Sequence, residues 1–226
     1  MEIKHHLFHL LKWSYPWLPG YLFDPLYNRL HPERLLINGC GLVWLDRKDN
    51  WQLALREWHP GLVGHFRNCL KPNYTVLVYG CGAGHLVLMA HWIVGKYGRI
   101  VGWEINPEFH DALWANVLGK ISISLQPGNP SLEAQQQNWG GIHVLFLNRG
   151  YGEYLEELRE GLLPRFILVR LAKGDFKSSG TIENCLRKYR VFTVKEPRGE
   201  LESIVGKSLR GDEDLYCIRK DVNSNQ

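Results

Sequence analysis

The chain lacks any apolar run that approaches the roughly 20 residues a helix needs to span a bilayer. Its first residues also lack the uninterrupted apolar stretch and the small-residue cleavage site that are typical of a signal peptide. The first absence argues against a transmembrane protein, and the second argues against a secreted one. We therefore expect a soluble, cytoplasmic protein.

Cysteine is scarce, since only five of the 226 residues are cysteines. They are odd in number, widely spaced and free of any CxxC pair, so neither a disulfide framework nor a zinc site is indicated. This usage fits a reducing compartment. We predict no metal site from the sequence.

An excess of charge is also missing. Lysine and arginine outnumber the acidic residues by 27 to 23, which gives a formal charge of +4, and no basic run stands out. Such a mild and dispersed excess does not indicate binding to nucleic acid. At this length, one domain with a substantial hydrophobic core is expected.

Residues 1–33 differ in composition from the remainder and are predicted to form a helical and aromatic arm. Apolar side chains recur at helical spacing from Ile3 to Leu11, and several tryptophan and tyrosine residues follow among prolines. Two interpretations stay open. Residues 1–30 could contact a membrane surface, because aromatic and lysine side chains favour headgroup depth, or they could pack on their own domain or on another subunit of a homo-oligomer.

Residues 34–221 have the pattern of one alternating α/β domain, and residues 222–226 form a tail. A β-hairpin is predicted around Gly39 and Gly41, and the unbroken run TVLVY at 75–79 is typical of a strand buried on both faces. The predicted strands are 35–45 (the hairpin), 75–79, 99–104, 121–125, 142–147, 165–171, 190–195, 200–205 and 214–219. The predicted helices lie within 50–70 and at 85–97, 107–118, 152–162 and 178–188. This order predicts a doubly wound, mainly parallel sheet with an antiparallel C-terminal edge hairpin.

A glycine-rich loop, Gly80-Cys81-Gly82-Ala83-Gly84, lies between the strand 75–79 and the following helix. Glycine there permits a sharp turn and lets the backbone approach a ligand, while the helix start presents free N–H groups. A dinucleotide fold uses G-x-G-x-x-G for a pyrophosphate. Here the third glycine comes one residue earlier, which suits a ligand without pyrophosphate such as S-adenosylmethionine.

Glu104 ends the next predicted strand and should emerge beside the glycine loop. A carboxylate at that point can accept hydrogen bonds from both hydroxyls of an adenosine ribose. The alternative is an exposed charge at the end of a strand. The predicted cofactor-binding residues are therefore Gly80, Cys81, Gly82, Gly84, His85, Glu104, Ile105 and Asn106.

The segment VLVYGCGAGHLVLMAHWIVGKYGRIVGWEINPEF resembles the FkbM-type family of S-adenosylmethionine-dependent methyltransferases, in which a glycine motif and a helix precede G-x-V-x-A-F-E-P-N-P. The upstream LVWLDRKDNWQLALREWHPGLVGHFRNCLKPN, the downstream PRFILVRLAKGDFKSSGTIENCLRKYRVFTVKE and the terminal DLYCIRKD also resemble the family. The resemblance covers about residues 34–221 and implies a Rossmann-like class I methyltransferase fold. It also implies O-methylation of a hydroxyl on a small molecule or glycan acceptor.

The chain departs from the family pattern at three carboxylate positions. Val78 replaces the acid that opens the glycine motif, and Leu171 and Lys173 replace the two acids of D-V-E-G. These changes motivate the alternative of a catalytically degenerate binding or scaffolding protein. A nicotinamide-dependent oxidoreductase is disfavoured by the early third glycine and by the antiparallel tail.

Three residues are candidates for catalysis. His59 lies where the family often carries an acid, and a histidine can accept the proton of an acceptor hydroxyl. Lys173 and Asp175 follow the end of a predicted strand, at the edge where open α/β sheets bind ligands. His85, at the start of a helix, is expected to stay neutral because the positive end of the helix dipole disfavours its protonation.

Overall fold

The first two strands form a small hairpin. In the computed structural model, β1 (Arg34–Leu36) pairs antiparallel with β2 (Leu42–Trp44), as predicted. Apart from the backbone of these strands, the structure describes residues 58–125, 141–158, 163–172, 186–204 and 213–221. The predicted arm at 1–33, most of the predicted helix at 178–188 and the tail at 222–226 lie outside the described residues.

The described strands of the main sheet are β3 (Thr75–Tyr79), β4 (Arg99–Trp103), β5 (Ile123–Leu125), β6 (Val144–Leu147), β7 (Phe166–Arg170), β8 (Tyr189–Lys195), β9 (Glu200–Ser203) and β10 (Asp214–Arg219). These eight strands lie in the order β5-β4-β3-β6-β7-β10-β8-β9. The first five strands in this order are parallel, whereas β10 is antiparallel to both of its neighbours and β8 is antiparallel to β9. The predicted α/β, Rossmann-like fold with an antiparallel edge hairpin is confirmed. The position of β10 between β7 and β8 was not predicted.

The described residues form three α-helices beside the sheet: α1 (Pro60–Cys69), α2 (His85–Val94) and α3 (His110–Val117). The helix predicted over 85–97 ends at Val94, because Gly95 follows with a left-handed φ of 72°. The segment 107–118 begins as a 3-10 turn (Pro107–Phe109). A second 3-10 helix (Gly152–Glu157) occupies the described part of the helix predicted at 152–162, so the α-helix was wrong there. No helix of the described segments is long and apolar enough to cross a membrane.

The two faces of the sheet bury separate hydrophobic clusters. On β3, Val76 and Val78 face the cluster that includes α1 and α2, while Leu77 and Tyr79 face the opposite cluster. Every residue of β3 is buried, which explains its unbroken apolar run. Because β3 is parallel to β4 and β6, the carboxyl ends of these strands lie at one edge of the sheet, where the glycine loop begins.

Candidate active site at the carboxyl edge of the sheet

The glycine loop is tied to the end of β4 by backbone hydrogen bonds. The N–H groups of Gly80 and Cys81 both donate to the carbonyl oxygen of Trp103, at 2.8 and 3.1 Å. The N–H of Gly84 donates to the carbonyl of Cys81, and the side-chain amide of Asn116 on α3 donates to the carbonyl of Ala83. The loop is therefore held in one conformation by its own chain.

The three glycines of the loop serve different purposes. A Cβ on Gly80 would lie 2.6 Å from Cβ of Asn148, and a Cβ on Gly84 would lie 2.9 Å from Leu113. These two glycines allow protein segments to pack closely. Gly82 has a φ of 52°, and no atom lies within 4 Å of its hypothetical Cβ. Of the three, only Gly82 therefore leaves open space that a ligand could fill.

Glu104 reaches this open part of the loop. Its Oε2 accepts the N–H of Gly82 at 2.6 Å, and its Oε1 accepts the N–H of Asn106 at 2.9 Å. A carboxylate oxygen can accept more than one hydrogen bond, so each oxygen keeps capacity for a ligand hydroxyl. The carboxylate is thus oriented towards the loop, as the ribose interpretation requires.

An exposed apolar side chain adjoins Glu104. Ile105 is 61% exposed, and its N–H donates to the hydroxyl of Tyr151 at 3.2 Å. The Tyr151 ring packs against Gly80, where it would lie 2.7 Å from a Cβ. Burial raises the pKa of Tyr151 to about 12, so its hydroxyl stays neutral. Tyr151 therefore joins the glycine loop to the end of β4, and Ile105 is free to contact a flat apolar group.

Two of the predicted cofactor-binding side chains face their own chain. The Cys81 thiol is buried, donates to the carbonyl of Val78 and lies against Gly102, and burial raises its pKa well above the ordinary value. The Asn106 side chain accepts the N–H of Glu108 and so caps the following 3-10 turn. Because both side chains are engaged in this way, only the backbone of Cys81 and Asn106 would contact a ligand. Their contribution to ligand binding stays a prediction.

His85 begins α2 and lies against Trp58, with 4.6 Å between the ring centroids. Burial, together with the smaller effect of the positive charges of Arg170 and His59, lowers the pKa of His85 to about 4. The imidazole is therefore neutral, as expected, although burial is the main cause. Within the described part of the chain, its Nε2 atom is buried without a hydrogen-bond partner.

His59 lies at the start of α1 and forms a pair with a residue far along the chain. Its Nδ1 atom lies 2.7 Å from Oδ2 of Asp214, the first residue of β10. Glu196, in the turn after β8, lies 4.0 Å from the same Nδ1 atom, and its oxygens accept the N–H groups of Gly61 and Leu62 at 2.8 Å. Asp214 thus orients the His59 ring, and Glu196 fixes the start of α1 on which that ring stands.

The His59 pair is connected to the glycine loop through Arg170, at the end of β7. Nε of Arg170 lies 3.5 Å from Oδ1 of Asp214, and its Nη1 donates to Oδ1 of Asn148 at 3.0 Å. The amide of Asn148 donates to the carbonyl of Gly80 at 3.0 Å. A continuous polar chain therefore runs from His59 to the loop that ends β3.

The same cluster offers a set of possible metal ligands that the sequence did not predict. One ligand atom from each of His59, Glu196 and Asp214 lies within 4.8 Å of the others. Both carboxylates already have positive or N–H partners, namely Arg170 for Asp214 and the start of α1 for Glu196. These contacts favour an ion-pair network that orients His59 over a cation site.

The remaining catalytic candidates and the departures from the family pattern have different outcomes. Lys173 and Asp175 lie outside the described residues. Val78 and Leu171 are almost fully buried in the two hydrophobic clusters, so the side chain at each position is part of the core.

Sequence reasoning missed Asp214, Glu196 and Arg170. The available signal was weak: Arg170 is a charge that ends the apolar run FILVR, and Asp214 begins an apolar strand. Their meeting depends on the antiparallel pairing of β10 with β7, in which Asp214 lies opposite Arg170. That pairing could not be predicted without knowing the strand order.

Solved structures with a similar fold include a candidate rRNA-methylase from Clostridium thermocellum. Its sequence is 16% identical, the TM-score is 0.50, and the match covers 69% of this chain and 93% of the methylase chain. A SAM-dependent O-methyltransferase from Thermotoga maritima is 15% identical with a TM-score of 0.49, over 82% of this chain and 75% of its own. At such identities the similarity shows the fold alone. Searches of family models and of curated proteins found no match, so the FkbM-type assignment stays a prediction.

Proposed function

We propose that this chain is an S-adenosylmethionine-dependent methyltransferase. The observation that carries the proposal is the contact between the Gly82 N–H and the Glu104 carboxylate, beside open space at Gly82 and the exposed Ile105. The fold shared with the rRNA-methylase from Clostridium thermocellum supports the same class.

The residues present fit an adenosyl group. Glu104 would hold the ribose hydroxyls, Gly82 would leave room for the sugar, and Ile105 would contact the adenine ring. The side chains that approach Gly80 and Gly84 exclude a ligand from those two glycines, so binding is confined to the middle of the loop. When bound, the cofactor supplies an electrophilic methyl group.

His59 is the proton acceptor of the proposed reaction. With Nδ1 donating to Asp214, Nε2 is the ring atom left to accept a proton. A hydroxyl acceptor needs such a base because its oxygen is a poor nucleophile while protonated. We therefore propose O-methylation, with a hydroxyl of a small molecule or glycan as the acceptor, in line with the FkbM-type resemblance.

A second candidate function is a methyltransferase fold that binds a ligand without turnover. The burial of Val78 and Leu171 favours it, because neither position can supply the carboxylate expected from the family pattern. In that case the adenosyl site could persist, and the acceptor site would be incomplete. Binding and methyl transfer must therefore be measured separately.

Isothermal titration calorimetry with S-adenosylmethionine and with its demethylated product tests the adenosyl site. The parent chain should bind both, and Glu104→Ala should weaken binding by about 1 to 3 kcal/mol, as expected for loss of a charged hydrogen-bond partner. Glu104→Gln keeps one acceptor oxygen and is the second variant to measure if Glu104→Ala does not fold. Glu108→Ala, an exposed carboxylate four positions further on, is the matched control and should bind like the parent.

Transfer of a labelled methyl group to a panel of hydroxyl compounds then separates the two candidates. Transfer supports the enzyme, and binding without transfer to any acceptor supports the second candidate. Absence of binding at millimolar ligand would refute the enzyme.

A further inference from the structure

Large exposed apolar side chains are concentrated on one part of the surface. Seven such side chains occur in the described residues, and two of them, Ile105 and Leu201, lie elsewhere. The other five belong to the ends of α2 and α3 and to the turns that follow these helices. We call them the α2–α3 patch: Trp92, Tyr97, Trp114, Leu118 and Ile121.

One contact links the two helix ends within the patch. Nζ of Lys120, in the turn after α3, lies 5.7 Å from the ring centroid of Trp92 on α2. Nζ of Lys96 lies 4.8 Å from the ring of Tyr97. Trp114 and Leu118 are one helical turn apart, and the N–H of Leu118 donates to the carbonyl of Trp114. The aromatic side chains are thus bordered by lysine side chains.

Basic side chains outnumber acidic ones around the patch, where Asp111 lies one helical turn before Trp114. No aspartate or glutamate occurs in residues 85–103 or 112–125, whereas Lys96, Arg99 and Lys120 all lie in these segments. The N–H of Asn73 donates to the carbonyl of Val94, which brings the turn that contains Lys71 to the end of α2. The patch therefore combines exposed apolar area with several basic side chains nearby.

We propose that the α2–α3 patch binds the surface of a membrane that contains anionic lipids. Tryptophan and tyrosine favour the headgroup region, lysine pairs with lipid phosphates, and aliphatic side chains insert between acyl chains. Leu118 and Ile121 are 80% and 84% exposed, which costs free energy in water and is relieved by insertion. A nucleic acid would offer these two aliphatic side chains no comparable apolar environment.

The position of the patch is compatible with the candidate active site. Both helices begin at the carboxyl edge of the sheet and run back to the amino edge, where the patch lies. The crevice at Gly82 is at the opposite edge. Membrane binding through the patch would therefore leave the crevice open to ligands.

Co-sedimentation of the full chain with lipid vesicles tests the proposal. The parent should bind vesicles of phosphatidylcholine mixed with phosphatidylserine, bind pure phosphatidylcholine weakly, and be released by salt. Leu118→Ser combined with Ile121→Ser should lower partitioning by roughly tenfold or more. Lys96→Gln combined with Lys120→Gln should weaken only the electrostatic part of vesicle binding, which is the part that salt reverses.

Matched controls lie on the edge hairpin. Leu201→Ser changes an exposed leucine on β9, and Lys195→Gln combined with Arg198→Gln removes two exposed charges, so both variants should bind like the parent. Circular dichroism melts confirm that all variants fold.

Three results would overturn the proposal. The parent could fail to bind anionic vesicles, or the Leu118 and Ile121 variant could bind them as the parent does, which would place binding elsewhere, for example in residues 1–30. Alternatively, the parent could fail to bind vesicles but form a dimer or bind single-stranded RNA, and the patch variants could abolish that dimerisation or RNA binding. That result would assign the surface to a protein or nucleic-acid partner.

Discussion

His59 and Asp214 are 155 positions apart in the chain, yet Nδ1 of one lies 2.7 Å from Oδ2 of the other. The contact joins the start of α1 to the start of β10. Asp214 also faces Arg170, so one carboxylate orients the histidine and neutralises the guanidinium. This geometry makes Asp214 a positioning residue for the proposed base.

We expect Asp214→Asn to leave cofactor binding intact and to slow methyl transfer roughly 100- to 10,000-fold, the range typical of a lost acid–base contribution. Single-turnover transfer to an acceptor found in the panel measures the rate. His59→Gln should have a similar effect, and the double variant should be little worse than either single variant. Asp221→Asn, on an exposed carboxylate paired with Arg219, is the control and should keep full activity. Additive losses from His59 and Asp214 would show that they do not act as a unit.

Alanine at Gly80 should mainly lower stability, whereas alanine at Gly82 should mainly prevent cofactor binding. Gly80→Ala combines a left-handed φ with contacts of 2.6 and 2.7 Å, so we expect a loss of about 2 to 5 kcal/mol in the free energy of unfolding. Gly82→Ala meets open space and should cost roughly 1 to 2 kcal/mol, while cofactor binding is lost. Urea denaturation and calorimetry measure the two quantities. Normal cofactor affinity in Gly82→Ala would remove the basis for the adenosyl site.

Glu196 should stabilise α1 through the free N–H groups at the start of that helix. It accepts from Gly61 and Leu62, so Glu196→Ala should lower the free energy of unfolding by about 1 to 2 kcal/mol. Glu200→Ala removes an exposed carboxylate on the neighbouring strand and should change stability by less than about 0.5 kcal/mol. Equal melting temperatures for the two variants would contradict this assignment.

The neutral, buried His85 should make the fold sensitive to acid. Its pKa in the folded chain is about 4, below the ordinary histidine value of 6.5, so the unfolded chain binds more protons between these pH values. Stability should therefore fall as the pH drops from 6.5 to 4, by on the order of a few kcal/mol from this group. Thermal melts across this range measure the slope. His85→Gln cannot take up the proton, and a slope as steep as that of the parent would point to other groups.

The strand that leads into the glycine loop was predictable from sequence because β3 is buried on both faces and its residues, TVLVY, are mostly apolar and rich in residues of high β propensity. The loop and Glu104 followed from their order along the chain. The 3-10 helix at Gly152–Glu157 was not predicted, because the spacing of its leucine and tyrosine side chains also fits an α-helix. The burial of Tyr154 and Leu155 is a tertiary feature that favours the 3-10 geometry and that the sequence pattern does not show.

The polar chain around His59 could not be predicted for a different reason. Glu196, Asp214 and Arg170 come from three strands or their ends, and each is an ordinary charged residue in its own segment. Only the pairing of β10 with β7 and β8 brings them to His59. Long-range pairing is a tertiary property that local patterns do not encode.

The insertion of β10 between β7 and β8 has a consequence for assembly. Among the described strands, the β8–β9 hairpin is bonded to the rest of the sheet only through β10. A folding intermediate that lacks this strand would therefore have its glycine loop in place while Asp214 and Glu196 were still apart from His59. The His59–Asp214 contact would then form only when β10 joins the sheet, so the proposed ligand site would form before the proposed base is oriented.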